Sequence, residues 1–185
     1  KVGPKIEKRE NVKVVVCPSF VDIEEVKKAV VVGSYPLIVG SQDLSPFDEG
    51  SYTGEEAARI LKEIVDLAIL GHSERRQNFS ETDEMIAEKV KQALENNITP
   101  LVCVQDKNTP VPEGTKLVAY EPIFAIGTGQ PDSSQNAQEI AWELKKKYGE
   151  EVEVLYGGSV TSENVKHFLN ENDISGVLVG TASLD

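Results

Sequence analysis

Seven short apolar runs punctuate this chain, at 13–17, 37–40, 67–70, 100–104, 116–120, 151–156 and 176–180. Runs of that length, rich in Val, Ile and Leu, read as strands buried on both faces. Between them, residues 22–30, 55–65, 82–95, 134–148 and 161–169 carry helical spacing. Asp22 is placed to cap the first helix, Thr82 the third, and Asp132 or Ser133 the fourth. The spacing puts Ala58, Ile60, Leu61 and Ile64 on one face of the second helix. It puts Met85, Ile86, Val90 and Leu94 on one face of the third. Residues 105–115 are the exception: Pro110, Pro112 and Gly114 make that crossover a loop. Short strands alternating with helices specify a parallel sheet with helices outside it, an α/β fold. Right-handed crossovers then bring every strand's C-terminal end to one rim, where such architectures carry their sites.

The totals narrow the function. A chain of 185 residues is long enough for one domain with a sizeable core. A net charge of -12 argues against nucleic-acid partners and anionic membrane surfaces. It leaves room for a small anionic substrate, because backbone N–H groups can form a local positive site. No leader pattern and no membrane-length apolar run is present in the sequence. Cys17 and Cys103 each lie in an apolar run and read as buried free thiols, which suits a reducing cytoplasm. No metal or cofactor is expected.

His72, Glu121, Ser159 and Gly180 each follow the end of an expected strand. The richest of these places is residues 119–129, Ala-Tyr-Glu-Pro-Ile-Phe-Ala-Ile-Gly-Thr-Gly. The strand delivers Glu121, and Pro122 biases it away from the helical region. Small and apolar residues follow, bounded by Gly127 and Gly129. One reading is a carboxylate base under a lid, with its pKa raised by exclusion of water. The other is an exposed glutamate at an ordinary strand-to-loop transition.

Four segments together resemble the triosephosphate isomerase family. They are residues 71–76 (Gly-His-Ser-Glu-Arg-Arg), 119–129, 155–160 (Leu-Tyr-Gly-Gly-Ser-Val), and 176–180 with Ala182, Ser183 and Leu184. The resemblance implies a TIM (β/α)8 barrel, of which this chain holds about seven strands. It implies interconversion of dihydroxyacetone phosphate and glyceraldehyde 3-phosphate, a step of glycolysis and gluconeogenesis, without a cofactor. On the same basis Glu121 is the general base and His72 the neutral imidazole that polarises the carbonyl. Gly127, Ser159, Gly180 and Thr181 grip the phosphate, and Ser73 and Glu74 support His72. Arg75, Arg76 and Glu81 read as structural ion pairs, and His167 as a surface residue. The loop 42–55, with Tyr52-Thr53-Gly54-Glu55, resembles the family's dimer loop and implies a homodimer or higher self-association.

Four departures stand out. The family's first strand ends in Asn-x-Lys, whose cation binds the substrate. Asn11-Val12-Lys13 leads into an expected strand, so Lys13 falls at its N-terminal end. No helix follows the last strand, so the chain is expected to be truncated or encoded in parts, and slow on its own. Thr181 replaces a second glycine, and Phe124 a lid tryptophan. The competing readings are a catalytically dead phosphate-binding or self-assembling remnant of this fold, and another sugar-phosphate enzyme on the same barrel.

Overall fold

The computed structural model describes residues 5–125 and 130–184. Among them the order of elements is β1 (Val15–Val16), α1 (Ile23–Val32), β2 (Ile38–Ser41), α2 (Ala58–Leu61), β3 (Leu67–Leu70), α3 (Ser73–Asn78), α4 (Asp83–Glu95), β4 (Thr99–Val104), β5 (Leu117–Tyr120), α5 (Ser134–Tyr148), β6 (Glu153–Tyr156), α6 (Val165–Leu169) and β7 (Ile174–Val177). β1, β2 and β3 pair in parallel in sequence order, and so do β4, β5, β6 and β7. This alternation is that of an incomplete TIM (β/α)8 barrel. The chain divides into two compact units, Lys1–Leu70 with Glu88–Pro100, and Gly71–Ala87 with Leu101–Asp185.

In the first unit β1 pairs with β2, and β2 with β3. Gly40 is required where they meet: a Cβ there would lie 2.8 Å from Cys17 Sγ and 3.0 Å from the Leu67 carbonyl. Beyond β2, Asp43 receives the ammonium of Lys89, 2.7 Å from each carboxylate oxygen, and both residues are buried. A buried Lys is tolerated only when paired in this way.

In the second unit the sheet order is β4-β5-β6-β7. Val104 pairs with Tyr120, Tyr120 with Tyr156, and Tyr156 with Val177. The strands therefore end level, and the residues that follow emerge at one height. α5 packs Ala137, Ala141 and Leu144 inward, at i, i+4 and i+7. Tyr156 stacks on Phe168 of α6 at 3.8 Å between ring centroids.

Several elements differ from the sequence reading. Asp22 does not cap α1: it has helical φ and ψ and accepts from the Ser19 hydroxyl, because a short 3-10 turn, Phe20–Asp22, precedes the helix. α2 spans four residues and buries Ala58 and Leu61, leaving Ile60 exposed. On α4, Ile86, Val90 and Ala93 are buried with Lys89, while Met85 and Leu94 face solvent. The pairing of Lys89 rotates the buried stripe away from a purely apolar one. The last strand starts at Ile174, two residues before the apolar run, because Ile174 pairs with Val154 before a register shift. α6 begins at Val165, since Thr161 and Asn164 first close a side-chain turn on each other's backbone N–H.

Lys89→Met leaves the Asp43 charge buried without this ammonium. Equilibrium urea unfolding should show a loss of about 3–5 kcal/mol, most of it recovered in Asp43→Asn/Lys89→Met. A loss under about 1 kcal/mol in the single variant would show that the pair contributes little.

Candidate active site

The level strand ends of the second unit place Glu121 directly after β5. Its N–H donates to the Val104 carbonyl at 2.7 Å, and its side chain is 0% exposed. Gly157, the residue after β6, lies against it: a Cβ there would sit 2.9 Å from Glu121 Cγ. Glycine is needed at 157 for this close approach.

The carboxylate meets the segment after β3. Its Oε2 accepts from the N–H of Ser73, the first residue of α3, at 3.0 Å. Its Oε1 lies 3.1 Å from Nε2 of His72. That ring is not aligned for a hydrogen bond, so Oε1 is buried without one among the described residues. At the far side of the ring, His72 Nδ1 accepts from the N–H of Glu74 at 3.4 Å. An imidazole whose Nδ1 accepts carries its proton on Nε2 when neutral, the nitrogen nearer the carboxylate.

Burial is the largest influence on Glu121 and raises its pKa. The opposing influences are, in order, the charge of His72, the Ser73 N–H, the thiol of Cys103 and the Ser73 hydroxyl. The net direction is upward, toward a stronger base. Cys103, buried on β4, is itself pushed well above the usual thiol range by burial and then by Glu121. Its contact with Glu121 was hidden in the sequence, where it read only as an apolar residue. The signal that finds it is the β4–β5 register, which pairs Val104 with Tyr120 just before Glu121.

The other expected site residues fall as follows. Ser73 meets Glu121 through its N–H at 3.0 Å, and its buried side chain also acts on the carboxylate. The Glu74 side chain is exposed, 3.8 Å from His72 Nδ1, so its backbone makes the closer contact. Ser159 gives both its donors to the Ala125 carbonyl, Oγ at 2.6 Å and N at 3.1 Å. Ala125 ends a 3-10 turn, Ile123–Ala125, that begins two residues after Glu121. Gly180 and Thr181 are exposed, and a Cβ at 180 would meet nothing within 4 Å. Gly127 lies outside the described residues. Arg75 pairs with Glu81 and Arg76 with Asp83, so Arg76 takes a different acid from the one expected. His167 is exposed on α6. Lys13 precedes β1 and so enters it from the N-terminal end. Among the described residues no cluster of His, Cys, Asp and Glu is arranged to hold a metal, and no helix is long and apolar enough to cross a membrane.

Residues 1–185 match the family model described as triosephosphate isomerase. A triosephosphate isomerase of Alkaliphilus oremlandii (strain OhILAs) is 40% identical over 208 residues, covering 95% of this chain and 83% of the relative. That of Thermoanaerobacter pseudethanolicus (strain ATCC 33223 / 39E) is 40% identical over 209 residues, covering 96% and 84%. That of Mesomycoplasma hyorhinis is 43% identical over 169 residues, covering 80% and 70%.

The raised pKa of Glu121 has a definite sign for stability. Between the unfolded value, near 4.3, and the higher folded one, the native state holds more protons, so stability falls as pH rises through that window. Glu121→Gln removes this cost. It should stabilise the protein at pH 7–8 by about 1–3 kcal/mol, a gain that shrinks toward pH 4. A pH-independent difference between the two proteins in thermal or urea unfolding would contradict the sealed-carboxylate account.

Proposed function

The chain belongs to the triosephosphate isomerase family, and from that premise we propose that it interconverts dihydroxyacetone phosphate and glyceraldehyde 3-phosphate through an enediolate. One observation carries the reading. A carboxylate sealed from solvent and raised in basicity lies 3.1 Å from an imidazole nitrogen. Removing a proton from carbon beside a carbonyl requires a base on the carbon and a donor on the oxygen. Glu121 supplies the first: it takes the C1 proton of the ketose and returns a proton to C2. His72 supplies the second, through Nε2–H, as charge builds on the carbonyl oxygen.

The 3.1 Å gap is too narrow to hold a substrate between the two groups. Substrate entry must therefore part them, and the carboxylate must give up the Ser73 N–H to reach carbon. The phosphate is assigned to the backbone N–H groups of Gly127, Ser159, Gly180 and Thr181. For Ser159 this means exchanging the Ala125 carbonyl for phosphate oxygen. A water-free site also protects an enediolate from loss of phosphate.

Self-association is assigned to the loop 42–55. Phe47 and Tyr52 stack there at 4.2 Å and 9°, and each is nearly half exposed. Two aromatic rings held rigid on a loop suit insertion into a second copy. Tyr52→Asp should lower the molar mass measured by light scattering to that of one chain. An unsubstituted protein already monomeric at about 100 μM, a concentration well above an ordinary micromolar dimer constant, would remove this assignment.

Proton abstraction is best read directly, by incorporation of deuterium from D2O into C1 of dihydroxyacetone phosphate followed by NMR. This readout detects slow turnover, which suits a chain whose Lys13 enters β1 from the N-terminal end. Glu121→Gln should slow incorporation by about 10²–10⁴-fold, and His72→Asn by about 10²-fold. Incorporation by Glu121→Gln at the unsubstituted rate would refute the proposal.

A further inference from the structure

We propose that Asp132 is a positioning residue for the reaction: its carboxylate fixes the strand end that carries Glu121 by tying Tyr120 to the entry of α5. The proposal rests on Glu121 being the base.

Asp132 engages its surroundings through both carboxylate oxygens and its backbone. The Tyr120 hydroxyl donates to Oδ2 at 3.1 Å, and Asn136 Nδ2 donates to the same oxygen at 2.6 Å. Ser133 N–H donates to Oδ1 at 2.8 Å, and Asp132 N–H donates to the Tyr156 hydroxyl at 2.8 Å. The two tyrosines are register partners that end β5 and β6, with ring centroids 6.3 Å apart. Each immediately precedes a residue of the site. Tyr120 precedes Glu121, and Tyr156 precedes Gly157, which packs on Glu121 Cγ. The Tyr120 carbonyl also accepts from the Gly157 N–H at 2.8 Å.

The helix does not need Asp132 for its own start. Ser133 already caps α5, accepting from Asn136 N–H at 3.1 Å. What the Asp132 carboxylate adds is an anionic acceptor for a phenol buried at the foot of the catalytic glutamate. Burial and the Asp132 charge both push the Tyr120 phenol up, so it remains a donor. Tyr156 has little freedom to move, being buried and stacked on Phe168. Tyr120 is buried as well but has no such stack; its hydroxyl donates to Asp132 at 3.1 Å and accepts a longer contact from Asn136 Nδ2 at 3.5 Å, so Asp132 is its closer polar anchor. Freeing that ring loosens the strand end from which the carboxylate projects, and small displacements of a reacting group cost large factors in rate.

Three variants test this, Asp132→Ala, Tyr120→Phe and the double variant, with Asp132→Asn as the milder change should Asp132→Ala fold poorly. In the deuterium-incorporation assay with dihydroxyacetone phosphate, each single variant should lower kcat by about ten- to a hundredfold and leave KM within about twofold. The double variant should be no slower than the slower single one, because both act through one contact. Backbone amide exchange followed by NMR gives a readout that needs no turnover. The Glu121 and Gly157 amides should exchange at least several-fold faster in Asp132→Ala, with the Val118 amide unchanged. An unchanged kcat, multiplicative rate losses in the double variant, or unchanged Glu121 and Gly157 amides would each overturn the role of Asp132 alone. Full incorporation by Glu121→Gln would instead overturn the base assignment, and this proposal with it.

Discussion

A carboxylate held at 0% exposure with one oxygen short of a hydrogen bond among the described residues is an expensive object. Much of the second unit is arranged so that it can persist. One oxygen receives the Ser73 N–H, the thiol of Cys103 leans on the group, and His72 stands beside the other oxygen. These contacts lower the pKa, and burial still outweighs them. The result is a group that is poorly satisfied at rest and gains from meeting a proton. That is the property the proposed role of Glu121 as a carbon base calls for.

The parallel sheet makes this possible through register rather than through any single contact. Val104, Tyr120, Tyr156 and Val177 are successive partners, so Glu121 and Gly157 leave their strands side by side. A side chain at 157 would collide with Glu121 Cγ, and one at 158 would lie 2.2 Å from the Tyr156 hydroxyl. The two glycines therefore serve the packing of the carboxylate and the tyrosine first. Any later approach of an anion to this backbone uses space that the packing already requires.

Sequence patterns carried the elements whose local signals agree with their burial. β3 is an unbroken apolar run, Leu67–Leu70, buried along its length. α5 has a serine cap and an i, i+4, i+7 stripe, and its bounds follow from those two features alone. That Glu121 and His72 would lie together was legible because each follows the end of an expected parallel strand, and they stand 3.1 Å apart. Other features depended on partners distant in the chain. Lys89 takes an inward position on α4 because Asp43, forty-six residues earlier, meets it there, and no helical periodicity anticipates a buried ammonium. Asp132 looked like a cap, yet its acceptor capacity goes to Tyr120 while Ser133 caps α5. Cys103 was visible as buried but not as a neighbour of Glu121, since that depends on the β4–β5 offset.

Two of the buried carboxylates, Asp43 and Glu121, lie close to basic side chains and are treated oppositely. Asp43 has both oxygens 2.7 Å from one ammonium, a symmetrical arrangement that resists loss of either charge. Glu121 lies beside an imidazole across a contact that is close but misaligned. A stabilising pair gains from good geometry and permanent charge. A pair that opens for a reacting molecule, as we propose for Glu121 and His72, would gain from neither. The degree of mismatch at Glu121 thus separates it from the structural pair more sharply than burial does, since both are buried alike.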